Sequence, residues 1–305
     1  MWKGHVSMLL ACLIWGLMAP LGKDAMTHGV GGLEMVTFRV TGGALCFWIA
    51  SLFVPHEEVR HKDMLLFFFA GMLSIVLNQC CYTIGLSITS PVNASIMTTV
   101  MPIITMILAA LFLKEPVTGK KVGGVFLGVV GAFFLILSGS GNSVEGNLLG
   151  DMLCLAAQFC FACYLTLFKH LITRYTVITC MKWMITYAAI AIMPFSYQRM
   201  AALPWCELSW TTWSETAFVV VGGTFLAYIF MMTGQKMLRP TVVSMYNYVQ
   251  PIVACGVSVA TGLGVFGLWQ GVAVVLVFTG VYLVTQSKSR RDMIEERQVK
   301  NRKTE

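Results

Sequence analysis

The chain is 305 residues long, 57% hydrophobic and only 11% charged, against roughly a quarter charged in soluble domains. With a mean hydropathy of +0.76 this composition excludes an ordinary soluble globule. The formal charge of +7 suggests a nucleic-acid partner only until the basic residues are placed along the chain.

Apolar runs of about 20 residues, the length that crosses a bilayer core, predict ten helices at 6–22, 33–54, 64–86, 91–113, 120–138, 149–168, 177–197, 216–235, 240–261 and 265–286. The connections are short, and irregular backbone cannot face lipid, so the expected fold is an all-α integral membrane bundle of ten transmembrane helices. The first run is followed by nine more and lacks a small-residue cleavage pattern, which reads as a retained helix rather than a signal peptide.

With ten spans the loops alternate between two sides. One side holds Lys3, Arg60, Lys62, Lys114, Lys120, Lys121, Lys169, Arg174, Lys236, Arg239 and the basic residues of the tail from Lys288 to Lys303, 17 of the 21 in all. The other side holds only Lys23 and Arg199, while Arg39 and Lys182 fall inside spans. Lys and Arg accumulate in cytoplasmic loops, so both termini are expected in the cytoplasm of a multi-pass plasma membrane protein, of the bacterial inner-membrane kind. The expected partners are membrane lipids and a small-molecule substrate, with no nucleic acid. Nine of the ten cysteines lie in predicted spans and read as apolar packing residues. Cys160 and Cys163 lack a second ligand pair at metal-site spacing, so neither a metal nor a cofactor is expected.

Shifting the chain by 149 residues sets Gly85 on Gly234, Pro91 on Pro240, Ser95 on Ser244, Val100 on Val249, Pro102 on Pro251 and Gly131 on Gly280. Earlier helices match at shifts of 143 to 146, which set Arg39 against Lys182. The expected organisation is a first repeat over 1–138, an outer linker over 139–148, a second repeat over 149–286 and a basic cytoplasmic tail over 287–305. Five helices per repeat is an odd number, so the second copy enters the membrane from the opposite face. Inverted repeats of this kind belong to secondary transporters, whose site lies near the midplane where the copies meet.

Several motifs carry a resemblance. They are Trp15-Gly16, Phe38-Arg39, and Pro102 with Lys114-Glu115-Pro116 in the first half. The second half adds Gly222-Gly223-Thr224-Phe225-Leu226-Ala227-Tyr228, Tyr246-Asn247-Tyr248-Val249-Gln250-Pro251 and Gly280-Val281-Tyr282-Leu283-Val284. Over approximately residues 5 to 286 the chain resembles the drug/metabolite transporter superfamily, in particular its EamA-type ten-helix members. The resemblance implies a permease, commonly an efflux carrier of amino acids or other small metabolites, and not an enzyme. Members often carry an acidic residue after helix 9 that matches Glu115 after helix 4; here that stretch is Gly262-Leu263-Gly264, so any role of a second carboxylate does not transfer.

Polar side chains inside hydrocarbon are costly and mark pathways. The expected substrate-binding set is Trp15, Asn78, Gln79, Tyr82, Gln158, Tyr228, Tyr246, Asn247 and Gln250, with Tyr164 a further interior phenol. Isolated amides serve equally well as interhelical hydrogen-bonding groups. Arg39 reads as a gate or pathway residue or as a seat for an anionic group, with snorkelling to an interface as the plainer explanation, which is preferred for Lys182. Pro102 and Pro251 are expected mid-helix, as paired kinks. Gly124-x-x-x-Gly128 and Gly267-x-x-x-Gly271 fit close helix contact within the bundle or across a homodimer. No carboxylate or histidine lies near the middle of a span, which leaves proton coupling to edge groups, and no phosphate-binding glycine loop is present. The function expected is a secondary transporter. The alternatives are an integral membrane enzyme modifying lipids and a non-transporting membrane scaffold.

Overall fold

The computed structural model describes residues 2–89, 97–139, 147–260 and 268–288. The described residues are helical throughout, with no strand among them. α1 is Trp2–Thr27 and α2 is Gly32–Ser51. α3 runs through His61–Gly71, a wider π-helical segment Met72–Leu77, and Asn78–Ile88. α4 is Met101–Phe112, α5 is Gly119–Gly139, and α6 is Leu148–Leu167 followed by a short helix Lys169–Arg174. α7 is Val177–Ala201. α8 is built like α3, from Trp210–Val220, a π segment Val221–Leu226 and Ala227–Met237. α9 joins Pro240–Met245 through a 3-10 turn Tyr246–Tyr248 to Val249–Ala260, and α10 is Leu268–Thr285.

Each predicted run overlaps a described helix, and α1, α3, α5, α7 and α8 run longer than their apolar runs because polar ends extend past the hydrocarbon-matched stretch. The start of the run at 91–113, the start of the run at 265–286, most of the linker at 139–148 and most of the tail at 287–305 lie outside the described residues. Among the described residues five helices are long and apolar enough to cross a bilayer on their own: Gly32–Ser51, His61–Gly85, Leu148–Leu167, Val177–Ala201 and Trp210–Met237. Side chains facing outward are apolar, among them Leu45, Phe126, Ile190 and Val275, which is the arrangement of a protein solvated by lipid. The protein is an all-α integral membrane protein.

The two halves make matching contacts. α2 packs on α7 and α5 on α10, while α3 packs on α6 as α8 packs on α1. A Cβ on Gly85 would meet Gly150 O and Cys154 Sγ, and one on Gly234 would meet Gly4 O and the Met8 side chain. Gly4 and Met8 stand 146 residues before Gly150 and Cys154, so the same small-residue contact is built twice. The π segments are also related, since Met72–Leu77 and Val221–Leu226 differ by the same 149 residues as the prolines. Gly124 and Gly128 face Gly280 on α10, where a Cβ on Gly280 would lie 2.5 Å from Gly124 O. This glycine stripe is therefore spent on packing inside the bundle; Gly267 lies outside the described residues.

Helix ends gather at two ends of the bundle. At one end His5 of α1 meets Tyr246 of α9, Asp63 of α3 meets Arg174 and Tyr175 before α7, and Arg239 at the start of α9 meets the last turn of α10. This is the end to which charge alternation assigns most basic residues. Several of these cations serve helix C-termini. Lys169 Nζ donates to Leu238 O at 2.7 Å, Lys236 to Tyr175 O, and Arg239 to the carbonyls of Val284, Thr285 and Ser287. Unpaired carbonyls and the negative end of the helix dipole both favour a cation there. At the far end Thr89 Oγ1 donates to Asp151 at 2.6 Å, and Trp205 stacks on Trp213 with Phe38 edge-on to both.

Candidate functional site

The π segments position the centre. Gln79 and Tyr228 each follow their π segment by two residues, and they are the same position in the two repeats. They meet directly, Gln79 Nε2 donating to Tyr228 Oη at 2.9 Å. Tyr248 likewise donates to Thr99 O at 2.9 Å, across another pair related by 149 residues. A residue that touches its own repeat counterpart lies on the axis relating the two copies, so these two bonds mark that axis. π turns are uncommon and concentrate at functional sites, since the extra residue re-aims the side chains that follow.

Around the Gln79 and Tyr228 pair stand Trp15 and Arg39. Trp15 Nε1 donates to Gly223 O inside the π segment at 2.9 Å, and its ring meets Tyr228 edge-on at 5.8 Å. Arg39 does not run to an interface. It turns inward, and its Nε donates to Thr224 Oγ1 at 3.1 Å. Thr224 is one helical turn before Tyr228, so Arg39, Thr224, Tyr228 and Gln79 form one polar line from α2 through α8 to α3. Gln79 is 5% exposed and its Oε1 has no partner.

The remaining expected residues are spread out. Asn247 Nδ2 donates to Met101 Sδ and Gln250 Nε2 to Asn247 Oδ1 at 3.3 Å, while Gln250 O borders Gly16 beside Trp15. Helix 9 is thus adjacent to the central cluster. Asn78 donates to Ala157 O at 2.9 Å and ties α3 to the backbone of α6. Gln158 is buried on α6 next to that carbonyl, and Tyr82 is partly buried on α3. Tyr246 lies away from the centre, at the basic end, with its hydroxyl 2.8 Å from His5 Nδ1.

The prolines, expected as mid-helix kinks, instead stand in the first turn of a helical segment: Pro102 is the second residue of Met101–Phe112, after its N-cap Val100, and Pro251 is the third of Val249–Ala260, after the 3-10 turn. Pro102 has no N–H for Thr98 O, and Ile103 N bonds Val100 O at 3.0 Å instead of Thr99 O. The freed Thr99 carbonyl is the one that receives Tyr248. In α9 the 3-10 turn Tyr246–Tyr248 lies immediately ahead of Pro251. Lys182 does not reach bare solvent either: its ammonium sits 4.7 Å from the Trp48 ring and 5.6 Å from Trp183, a cation–π contact near the C-terminal end of α2.

Several polar groups were not anticipated as partners. Lys121 is fully buried and pairs with Glu115 at 2.7 Å, and Thr241 donates to the same oxygen at 3.2 Å. Glu115 is aimed inward by the turn that ends α4, where Lys114 takes φ 53 and Glu115 N bonds Ala109 O. Tyr164 donates to Gln235 Oε1 at 3.0 Å. Spacing could have flagged the Glu115 and Lys121 pair, which bracket one tight turn; nothing in the sequence pairs Thr224 with Arg39. In the first turn of α3, Asp63 Oδ2 accepts from Tyr175 Oη at 2.5 Å and from Arg174 at 2.7 Å. Burial lowers Lys169 to about 8, against the opposing pull of Glu115.

At the far end Glu34 is buried with Oε2 unpartnered, and Asp24 lies 3.4 Å from His28. A groove of about 470 Å³ lies elsewhere, along the outward face of α7, lined by Thr186, Ile190, Met193, Pro194 and Tyr197. Its apolar walls suit an acyl chain and lack the polar set described above. Among the described residues no cluster of three metal-ligating side chains occurs.

This architecture has known counterparts. The model of the EamA-like transporter family matches residues 2–137 and again 148–286. The chain belongs to the EamA-like transporter family. Its double match falls on the two halves that the contacts relate. A Bacillus subtilis protein described as uncharacterized transporter YyaM is 24% identical over 75% of each chain. A WAT1-related protein of Arabidopsis thaliana is 21% identical over 96% of this chain and 93% of its own. A solved crystal structure superposes with a TM-score of 0.76 over 93% of this chain and 97% of that one at 15% identity, which shows a shared fold. This EamA-family protein is a multi-pass membrane transporter rather than an enzyme.

Proposed function

We propose that the protein is a secondary transporter exporting small metabolites such as amino acids across the bacterial inner membrane, with ten spans, inverted repeats and both termini in the cytoplasm. The observation that carries this reading is the meeting of Gln79 with its repeat counterpart Tyr228 beside two helices broken at Pro102 and Pro251. A site on the axis between two equivalent halves is reached equally from either side when one half rocks against the other. The broken helices at Val100 and Tyr246–Tyr248 give each half a place to bend without losing a regular hydrogen-bond ladder, and the freed Thr99 carbonyl already receives Tyr248.

Proton coupling, where present, falls to edge acids such as Glu34, Asp24 and Glu215, since no carboxylate belongs to the central line. Orientation rests on the basic end facing the cytoplasm. The test is efflux from liposomes holding the purified full chain, against a panel of amino acids and related metabolites with and without a pH gradient. Saturable movement of a subset of solutes is expected. No movement of any solute by folded protein overturns the reading.

A further inference from the structure

The least satisfied group at the centre is a cation. Arg39 is largely buried, its Nε is used by the neutral Thr224, and the ion pairs of the described residues lie elsewhere, at Asp24 and His28, Glu115 and Lys121, and Asp63 and Arg174. A buried guanidinium without a counter-ion is costly, and natural proteins keep one where something completes it. Nearby, one end of the Gln79 amide is also without a partner in a residue that is 5% exposed. Gln79 bonds Tyr228 and Arg39 bonds Thr224 one turn before it, and Trp15 meets Tyr228 edge-on.

We infer that Arg39 and Gln79 form a recognition subsite for the carboxylate of a small amphipathic organic monoanion, whose apolar part lies against Trp15 and Tyr228. This deepens the transporter reading and rests on it. One guanidinium balances one negative charge, so a monoanion fits and a phosphate dianion is left with an uncompensated charge. The planar fork of Arg39 suits the two oxygens of a carboxylate, and the free end of Gln79 takes a second polar group on the same solute. A purely structural Arg39, tying α2 to the π segment of α8, would instead affect every solute alike.

The test uses the purified full chain, with binding measured by calorimetry in detergent and counterflow measured in liposomes. The probes are 3-phenylpropionate, phenylacetate, 3-phenylpropionamide and phenyl phosphate. The two carboxylates are expected to bind at least about tenfold more tightly than the amide or the phosphate, a difference of about 1.4 kcal/mol. R39Q is expected to remove that preference, weakening the carboxylates at least about tenfold while changing the amide less than about twofold. R39K should retain an intermediate preference, because it keeps the charge and loses the fork. T224D supplies a built-in counter-ion, keeps Arg39 satisfied in the folded protein, and should displace the carboxylates as R39Q does.

Equal binding of amide and carboxylate by the parent protein, or tighter binding of phenyl phosphate, overturns the subsite. So does an R39Q or T224D protein that binds the carboxylates as the parent does, or one that loses all probes equally. If liposomes move the amide and not the carboxylates, the subsite falls and the transporter reading stands. If no probe moves while an amino acid or related metabolite of the efflux panel does, the subsite falls and the transporter reading stands.

Discussion

The basic end and the centre of the bundle are both polar and both buried, yet they are finished to different degrees. At the basic end every cation that reaches inward is met by an acceptor: Lys121 by Glu115, Lys169 by Leu238 O, and Arg239 by the last carbonyls of α10. At the centre Arg39 has a neutral partner and Gln79 has a free end. A network whose members are all satisfied rigidifies a structure, while an incomplete one is a cost that function explains better than stability does. The paired cations of the basic end thus belong to the structural frame, while the incomplete pair at the centre belongs to the candidate site; Gln235 Nε2 near the basic end and Glu34 Oε2 at the far end are unpartnered as well.

That contrast can be broken experimentally. The largest effect is expected at the frame: E115Q or K121M leaves a buried partner charge and should lower unfolding stability in detergent by about 3 to 5 kcal/mol, with the double replacement recovering most of it. A small loss in the single variants would show that water reaches this pair. Next, G280A places a Cβ 2.5 Å from Gly124 O, so α5 and α10 must separate at a cost of about 1 to 3 kcal/mol, read as a lower melting temperature. At the centre the expectation reverses. Q79L with Y228F removes both partners of one hydrogen bond, so stability should change by less than about 1 kcal/mol while transport falls at least about tenfold. A variant that transports normally would place the site elsewhere.

The smallest effect is a pH dependence. Lys169 titrates at about 8 in the folded protein against 10.5 in a free side chain, so between those values the unfolded state holds the extra proton. Stability from this group therefore rises as pH increases from about 8 toward 10.5 and is flat below it. The parent protein should gain melting temperature over that window relative to K169M. An identical pH profile in both would show that Lys169 is solvated.

Much of this was readable beforehand, and the reasons differ by residue. The apolar runs gave helix positions because a bilayer imposes a length on every span, and the repeat spacing gave the pairing of Pro102 with Pro251. The same spacing also relates Gln79 to Tyr228, but only the structure singles out that pair, because the two touch. Polar type alone could not sort Asn78, which binds the backbone of α6, from Gln79, which does not complete its bonds. Tyr246 looked like its neighbours Asn247 and Gln250 in sequence and sits a turn nearer the basic end with His5. Arg39 could have reached either way along its helix, and only the position of Thr224 on a neighbouring π turn settles its direction.

The sequence by itself determined the class of protein, the duplicated halves and the placement of basic charge, because these follow from local composition and from periodicity along one chain. The tertiary structure decided which polar groups are satisfied and which are not, because a hydrogen bond between residues 149 positions apart depends on how two helices are turned toward each other. A two-residue offset after a π segment, invisible in hydropathy, is what turns Gln79 and Tyr228 onto the axis.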